Sequence, residues 1–104
     1  RDYSYVADIV EANVLALNSP VRGVYNLGRG IEVSDLEVFE AVRAAVGADV
    51  APVFAPVRPG EVEHIALDAS KAERELGWRW KMGLSEGVAA AVAHHREATK
   101  RTEP

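Results

Sequence analysis

Val24-Tyr25-Asn26-Leu27 is the one stretch of this 104-residue chain that reads as a sheet strand. Asn18-Ser19-Pro20 precedes it and Gly28-Arg29-Gly30 closes it, both of them turn chemistry. A short apolar run of this kind suits a parallel sheet covered on both faces. One strand makes no sheet, and the remaining sequence offers it few neighbours. The order of elements is α/β, with most of the sheet absent from the chain, so the chain is expected to be one part of a larger molecule.

Helical spacing surrounds the strand. Val6, Ile9, Val10, Val14 and Leu17 predict a first helix, with Asp8 and Glu11 in the early turns where the dipole favours anions. Pro20 pushes the residue before it out of the α region and ends that helix. Ser34 and Glu37 have the spacing of a capping box, and Val33 and Val38 that of a hydrophobic staple. Leu36, Phe39, Val42 and Val46 form the apolar stripe of this second helix, and Gly47 is a left-handed stop. Val53-Phe54 and His64–Leu67 read as extended pieces on either side of the rigid loop 55–61. Asp68 is placed to cap a short helix ending at Gly77, with Trp78 folding back on it in a Schellman-type contact. Ser85 is placed to cap a last helix carrying Leu84, Val88, Ala91, Val92 and His95 on one face. The polar tail 99–104 is expected to fray.

Composition excludes more than it identifies. With 48% hydrophobic and 27% charged residues, the chain is expected to fold as a single globular unit with a modest core. A net charge of −4 gives no electrostatic case for nucleic acid or an anionic membrane. No apolar run reaches the roughly 18 residues that span a bilayer, and no signal peptide is visible. The absence of cysteine rules out disulfide and thiolate chemistry and fits the cytoplasm, where the chain is expected to reside.

Candidate chemistry concentrates in Arg58-Pro59-Gly60-Glu61. Proline fixes one backbone angle and glycine admits close approach to the main chain. An arginine fork held there suits a diphosphate, and the nearby carboxylate suits sugar hydroxyls. On spacing alone the loop reads as a surface turn with a solvated charge pair. Gly28-Arg29-Gly30 resembles part of a phosphate-cradling turn, but Val33 stands where the third glycine of a dinucleotide fingerprint belongs. A tight turn is the simpler reading. His94 and His95 point about 100° apart on a helix and lack a third ligand, and His64 stands alone. Trp78-Arg79-Trp80 either stacks a base or pins the loop between the last two helices, and the second reading is preferred.

Taken in order, "RDYSYVADIVEA", "GVYNLGRG", "VSDLEVFEAV", "FAPVRPGEV", "LDASKAERELGW" and "LSEGV" resemble the C-terminal part of nucleotide-sugar epimerases and dehydratases. These enzymes are extended short-chain dehydrogenase/reductases, and the UDP-glucose 4-epimerase type is the nearest. Each segment is weak singly; six in order over nearly the whole chain are specific. The resemblance implies that Arg1 and Arg58 contact the substrate diphosphate, that Tyr3 lies in the substrate-facing segment, and that Glu61 holds the nucleotide ribose. Two convergent guanidinium groups suit a pyrophosphate better than one. Asp8 falls on an acidic position where structural capping is the safer reading. Val24–Leu27 becomes the last strand of an extended Rossmann-type sheet. Residues 1–30 become the end of the dinucleotide-binding domain, 31–98 a small helical substrate lobe, and 99–104 the frayed tail.

The family's chemistry uses a glycine-rich turn for NAD and a Tyr-x-x-x-Lys pair for proton and hydride transfer, and neither is found here. Four residues after Tyr3, Tyr5 and Tyr25 come Ala7, Ile9 and Arg29. Tyr5 stands where many 4-epimerases have histidine, and Glu61 where many have aspartate. No catalytic residue, metal or cofactor of its own is expected for this chain. The implied parent is an NAD-dependent, homodimeric enzyme acting on a nucleotide sugar, with the dinucleotide-binding part preceding Arg1. The implied role of the chain is anchorage of the diphosphate and ribose of a UDP-sugar in a 4-epimerase. The alternatives are the same portion of a 4,6-dehydratase or decarboxylase, and a non-catalytic α/β binding module.

Overall fold

The computed structural model describes residues 1–102. Its helices are α1 (Val6–Leu17), α2 (Asp35–Val46), α3 (Ser70–Leu76) and α4 (Leu84–Thr102), joined by non-helical connections. α2 packs against α4, and α1 against α3. The radius of gyration is 16.8 Å, against about 13 Å expected for a compact chain of this length. The molecule is correspondingly flat, 48 × 40 × 21 Å.

Local signals locate α2 well. The Ser34 side chain accepts from the Glu37 amide at 3.1 Å, and the Glu37 carboxylate accepts from the Ser34 amide at 2.8 Å, completing the capping box. Gly47 adopts φ 76° and bonds back to the Arg43 carbonyl, a left-handed stop. Arg96 of α4 donates to the Val46 carbonyl at 2.6 Å, placing a cation on the negative end of α2.

The α1–α3 layer is built around Trp78, which is 1% exposed and packs with Ala12 and Ala72, flanked by Leu15, Leu27 and Leu76. Gly77 takes φ 69°, and the Trp78 amide donates to the Ala72 carbonyl at 3.3 Å, the Schellman closure that delivers the indole into the core. The indole Nε1 then donates to the Asp8 carbonyl at 2.7 Å.

α1 is apolar on two opposite sides. Ala12 and Leu15 face the core, whereas Val6, Val10, Val14 and Leu17 line the reverse side and are 68%, 53%, 52% and 84% exposed. A helix apolar on both sides is built to be covered on both.

Several expectations need correction. Among the described residues there is no strand. The Val24–Leu27 segment lies outside any helix, but strand pairing requires ladder hydrogen bonds to a neighbour. The Val24 carbonyl instead accepts from Lys71 Nζ at 3.0 Å. The N-cap of α3 is Ala69, not Asp68; Asp68 accepts from the Ser70 amide at 2.9 Å from one residue further out. Ser85 lies inside the first turn of α4, where the Gly83 carbonyl already accepts the Gly87 amide at 2.9 Å. Of the tail expected to fray, 99–102 continue α4, and Glu103 and Pro104 lie outside the described residues. Among the described residues no helix is long and apolar enough to cross a membrane.

Candidate functional site

The organising group at the start of the chain is Asp2. Its Oδ1 accepts from the Arg29 amide at 3.0 Å, and its Oδ2 accepts from the amides of Gly30 and Leu67, each at 2.9 Å. Burial pushes the carboxyl up, but the hydrogen bonds from Leu67, Arg29 and Gly30 and the Arg29 charge outweigh it and hold it below its ordinary value of 3.8. Gly28 makes room for this arrangement. A Cβ at Gly28 would sit 2.6 Å from Asp2 Oδ2 and 2.8 Å from Leu67 Cβ.

Asp2 also decides what Gly28-Arg29-Gly30 can do. Two amides aimed at one point are an anion nest, and here a carboxylate of the same chain fills it. The loop therefore does not fit a dinucleotide phosphate.

Arg1 is fixed at both ends. Its backbone exchanges two hydrogen bonds with Val33, 2.9 Å and 2.8 Å, the pattern of an antiparallel hydrogen-bonded pair. Its guanidinium Nη1 donates to the Val62 carbonyl. Arg1 and Glu61 thereby line the same cavity of about 430 Å³, between the start of α2 and the segment 61–64. That volume lies within the range of small-molecule sites. Glu32, Asp35, Glu37, Glu61 and Glu63 contribute carboxylates to its wall. His64 sits 3.6 Å from Glu32 and 3.9 Å from Glu63. Such a wall suits hydroxyl-rich ligands, with an anionic group accommodated only at the Arg1 end.

The other two candidate residues stand apart from this cavity. Arg58 is exposed and forms no part of its wall. It opens the turn whose carbonyl accepts the Glu61 amide at 3.3 Å, with Gly60 at φ 81°. Tyr3 lines a separate apolar hollow of about 140 Å³ with Tyr5, Val38 and Gly87. Its hydroxyl reaches back to Asp35 Oδ1 at 3.4 Å. Burial first, and then the Asp35 carboxylate, raise the Tyr3 phenol above its ordinary 10.0. A tyrosine acting as a base requires a lowered value, so Tyr3 is not tuned for proton abstraction.

The remaining candidates resolve into structure. Asp8, 4% exposed, accepts from the Lys81 and Met82 amides at 3.0 Å and 3.1 Å. It ties α1 to the entry of α4 and does not cap its own helix. Trp80 presents its ring to Arg29, whose guanidinium carbon lies 4.9 Å from the centroid. A hollow of about 610 Å³ opens beside this pair and Arg79, away from Arg1 and Glu61. His94 and His95 meet edge to face at 5.8 Å. Among the described residues no group of three or more histidine, aspartate or glutamate side chains is placed to hold a metal ion.

Asp2 is the residue that sequence reasoning missed. Its partners lie 27, 28 and 65 positions away, so no local spacing rule links them. The one available signal is the carboxylate between two candidate ligand residues with no helix start of its own to cap.

Residues 1–91 match the family model described as GDP-mannose 4,6 dehydratase. The UDP-glucose 4-epimerase of Mycolicibacterium smegmatis is 38% identical over 102 residues, covering 96% of this chain and 32% of its own length. That of Bacillus subtilis is 43% identical over 90 residues, covering 83% of this chain and 26% of its own. The chain thus spans about a third or less of these relatives. Among solved structures, the Thermotoga maritima UDP-glucose 4-epimerase with UDP-glucose superposes with a TM-score of 0.89 at 37% identity. It covers 95% of this chain and 32% of that one. The Bifidobacterium longum UDP-glucose 4-epimerase, in complex with NAD+ and UDP, gives 0.86 at 34% identity, covering 95% and 30%.

Proposed function

The chain belongs to the family of NAD-dependent nucleotide-sugar epimerases and dehydratases, extended short-chain dehydrogenase/reductases of the UDP-glucose 4-epimerase type, and from that premise we propose that it supplies the nucleotide-sugar-binding portion of such an enzyme. The observation that carries this reading is the convergence of Arg1 and Glu61 on one cavity, with the Arg1 guanidinium anchored on the Val62 carbonyl. Arg1 takes the diphosphate of a UDP-sugar, and Glu61 accepts hydrogen bonds from the ribose hydroxyls. Arg58 closes on the diphosphate from the exposed turn, and Tyr3 orders the rim through Asp35.

The cofactor and the chemistry belong to the remainder of the enzyme. The Gly28–Gly30 amides are occupied by Asp2 and the chain has no Tyr-x-x-x-Lys, so NAD and the proton-transferring tyrosine lie on a dinucleotide-binding part. The reverse side of α1, with Val6, Val10, Val14 and Leu17 exposed, is where that part docks. We extend this reading to a complete enzyme that works in the cytoplasm as a homodimer. Epimerisation at C4 of the sugar is the preferred reaction, because the curated relatives are UDP-glucose 4-epimerases. The family-model match keeps a 4,6-dehydratase as the second reading.

Calorimetric titration of UDP into the wild-type chain and into Glu61→Ala tests the role of the cavity. Weak binding by the wild type, further reduced in the variant, is expected. Equal affinity of the two proteins would remove Glu61 from the site.

A further inference from the structure

We propose that Asp2 is the positioning residue of the nucleotide site, setting Arg1 and Tyr3 in register with the segment that carries Glu61. The inference rests on the reading of Arg1 and Glu61 as substrate contacts, and the clamp is observable without any ligand.

Three segments meet at the Asp2 carboxylate. The amides of Arg29 and Gly30 fix the loop before α2, and the amide of Leu67 fixes the segment running back to Glu61. Arg1 then spans the same segments, pairing with Val33 through its backbone and with Val62 through its guanidinium. Neighbouring residues therefore divide the work. Asp2 faces inward and holds the segments; Arg1 faces the cavity, and Tyr3 reaches the rim through Asp35.

The carboxylate is matched to this task in ways an ordinary turn-forming aspartate is not. Both oxygens are used, one of them twice. An asparagine at this position retains one acceptor oxygen and points an N–H₂ at a backbone N–H, so at least one bond becomes a donor–donor contact. A glutamate keeps the charge but carries its carboxylate one methylene further out, away from the three amides that the shorter side chain reaches. The geometry selects aspartate over both of its nearest relatives.

The test compares wild type, Asp2→Asn and, as a stability control outside the wall of the Arg1–Glu61 cavity, Trp78→Phe. Two measurements are made on folded protein near neutral pH: NOEs from Arg1 to Val33 and Val62, and UDP affinity by NMR titration. Asp2→Asn is expected to lose the Arg1–Val62 NOEs and to bind UDP about tenfold more weakly. Trp78→Phe is expected to lose stability while keeping both. Retention of the NOEs in Asp2→Asn, or unchanged UDP affinity beside binding by the wild type, overturns the proposal. Absence of UDP binding by the wild type defeats the functional reading, and the NOEs still decide the clamp. If Asp2→Asn does not fold, wild-type protein is acidified instead. The Arg29, Gly30 and Leu67 amide shifts are then expected to move with one midpoint, at which the Arg1–Val62 NOEs vanish; separate midpoints contradict the clamp.

Discussion

The indole of Trp78 donates its Nε1 hydrogen to the backbone carbonyl of Asp8, 2.7 Å away and 70 positions earlier in the sequence. The same aspartate uses its carboxylate on the Lys81 and Met82 amides, so one residue of α1 positions both the core tryptophan and the entry to α4. The Gly77 closure makes this possible by turning the chain sharply enough to bring Trp78 back over α3.

Trp78→Phe keeps an aromatic ring but removes the donor and part of the volume. A loss of about 1–3 kcal/mol is expected, from a less satisfied buried carbonyl and a small cavity. Urea unfolding followed by far-UV circular dichroism measures it; a change below roughly 0.5 kcal/mol, the range of surface substitutions, would show that the indole is not the centre of this layer.

Gly28→Ala introduces a Cβ where 2.6 Å and 2.8 Å contacts await it. Leu67 Cβ is tied to the backbone, so the loop must shift and the Asp2 bonds must lengthen. Destabilisation of about 1–3 kcal/mol is expected, together with faster hydrogen exchange at the Gly30 and Leu67 amides. Unchanged exchange at both would contradict the close approach.

Asp2 gives the fold an acid-sensitive joint. Its carboxyl titrates lower in the folded chain than its ordinary 3.8, because three amide bonds and Arg29 outweigh burial. The ionised form is thus favoured by folding, and its contribution is complete above the unfolded value and lost as pH falls through the folded one. Between pH 5 and pH 2 the stability of wild type is expected to fall more steeply than that of Asp2→Asn. Parallel curves would mean that Asp2 titrates alike in both states.

How much of this was legible in the sequence depends on distance along the chain. Ser34, Glu37 and Gly47 are read correctly because a capping box and a left-handed stop involve residues within a few positions of one another. The limits of α1 follow from its spacing and Pro20, but the residues that signal that helix, Val6, Val10, Val14 and Leu17, are those left exposed. Its core face contains Ala12 and Asp8, which periodicity ranks low. Val24–Leu27 has strand composition, and the ladder that would make it a strand is not a property of its own residues. Arg1 and Glu61 were singled out by family resemblance and meet at a cavity, whereas Asp2 joins segments too far apart in sequence for any spacing to reveal.

The uncovered side of α1 bears on behaviour in solution. With Val6, Val10, Val14 and Leu17 exposed in one stripe, the chain alone is expected to self-associate as concentration rises. Val10→Lys together with Val14→Lys is expected to abolish this with little effect on the core, since neither residue contributes to it. Sedimentation velocity separates the cases; a wild-type chain that stays monomeric across the concentration range would show that the stripe is not adhesive.

Under the proposed function a nucleoside diphosphate sits between Arg1 and Glu61. Titration of UDP into the isotopically labelled chain, read residue by residue from amide and arginine side-chain NMR shifts, decides whether it does. Saturable shifts are expected at Arg1, Val33, Glu61, Val62 and His64, with the Arg29–Trp80 hollow unaffected. Shifts confined to Arg29, Arg79 and Trp80, or none at Arg1 and Glu61, would contradict it.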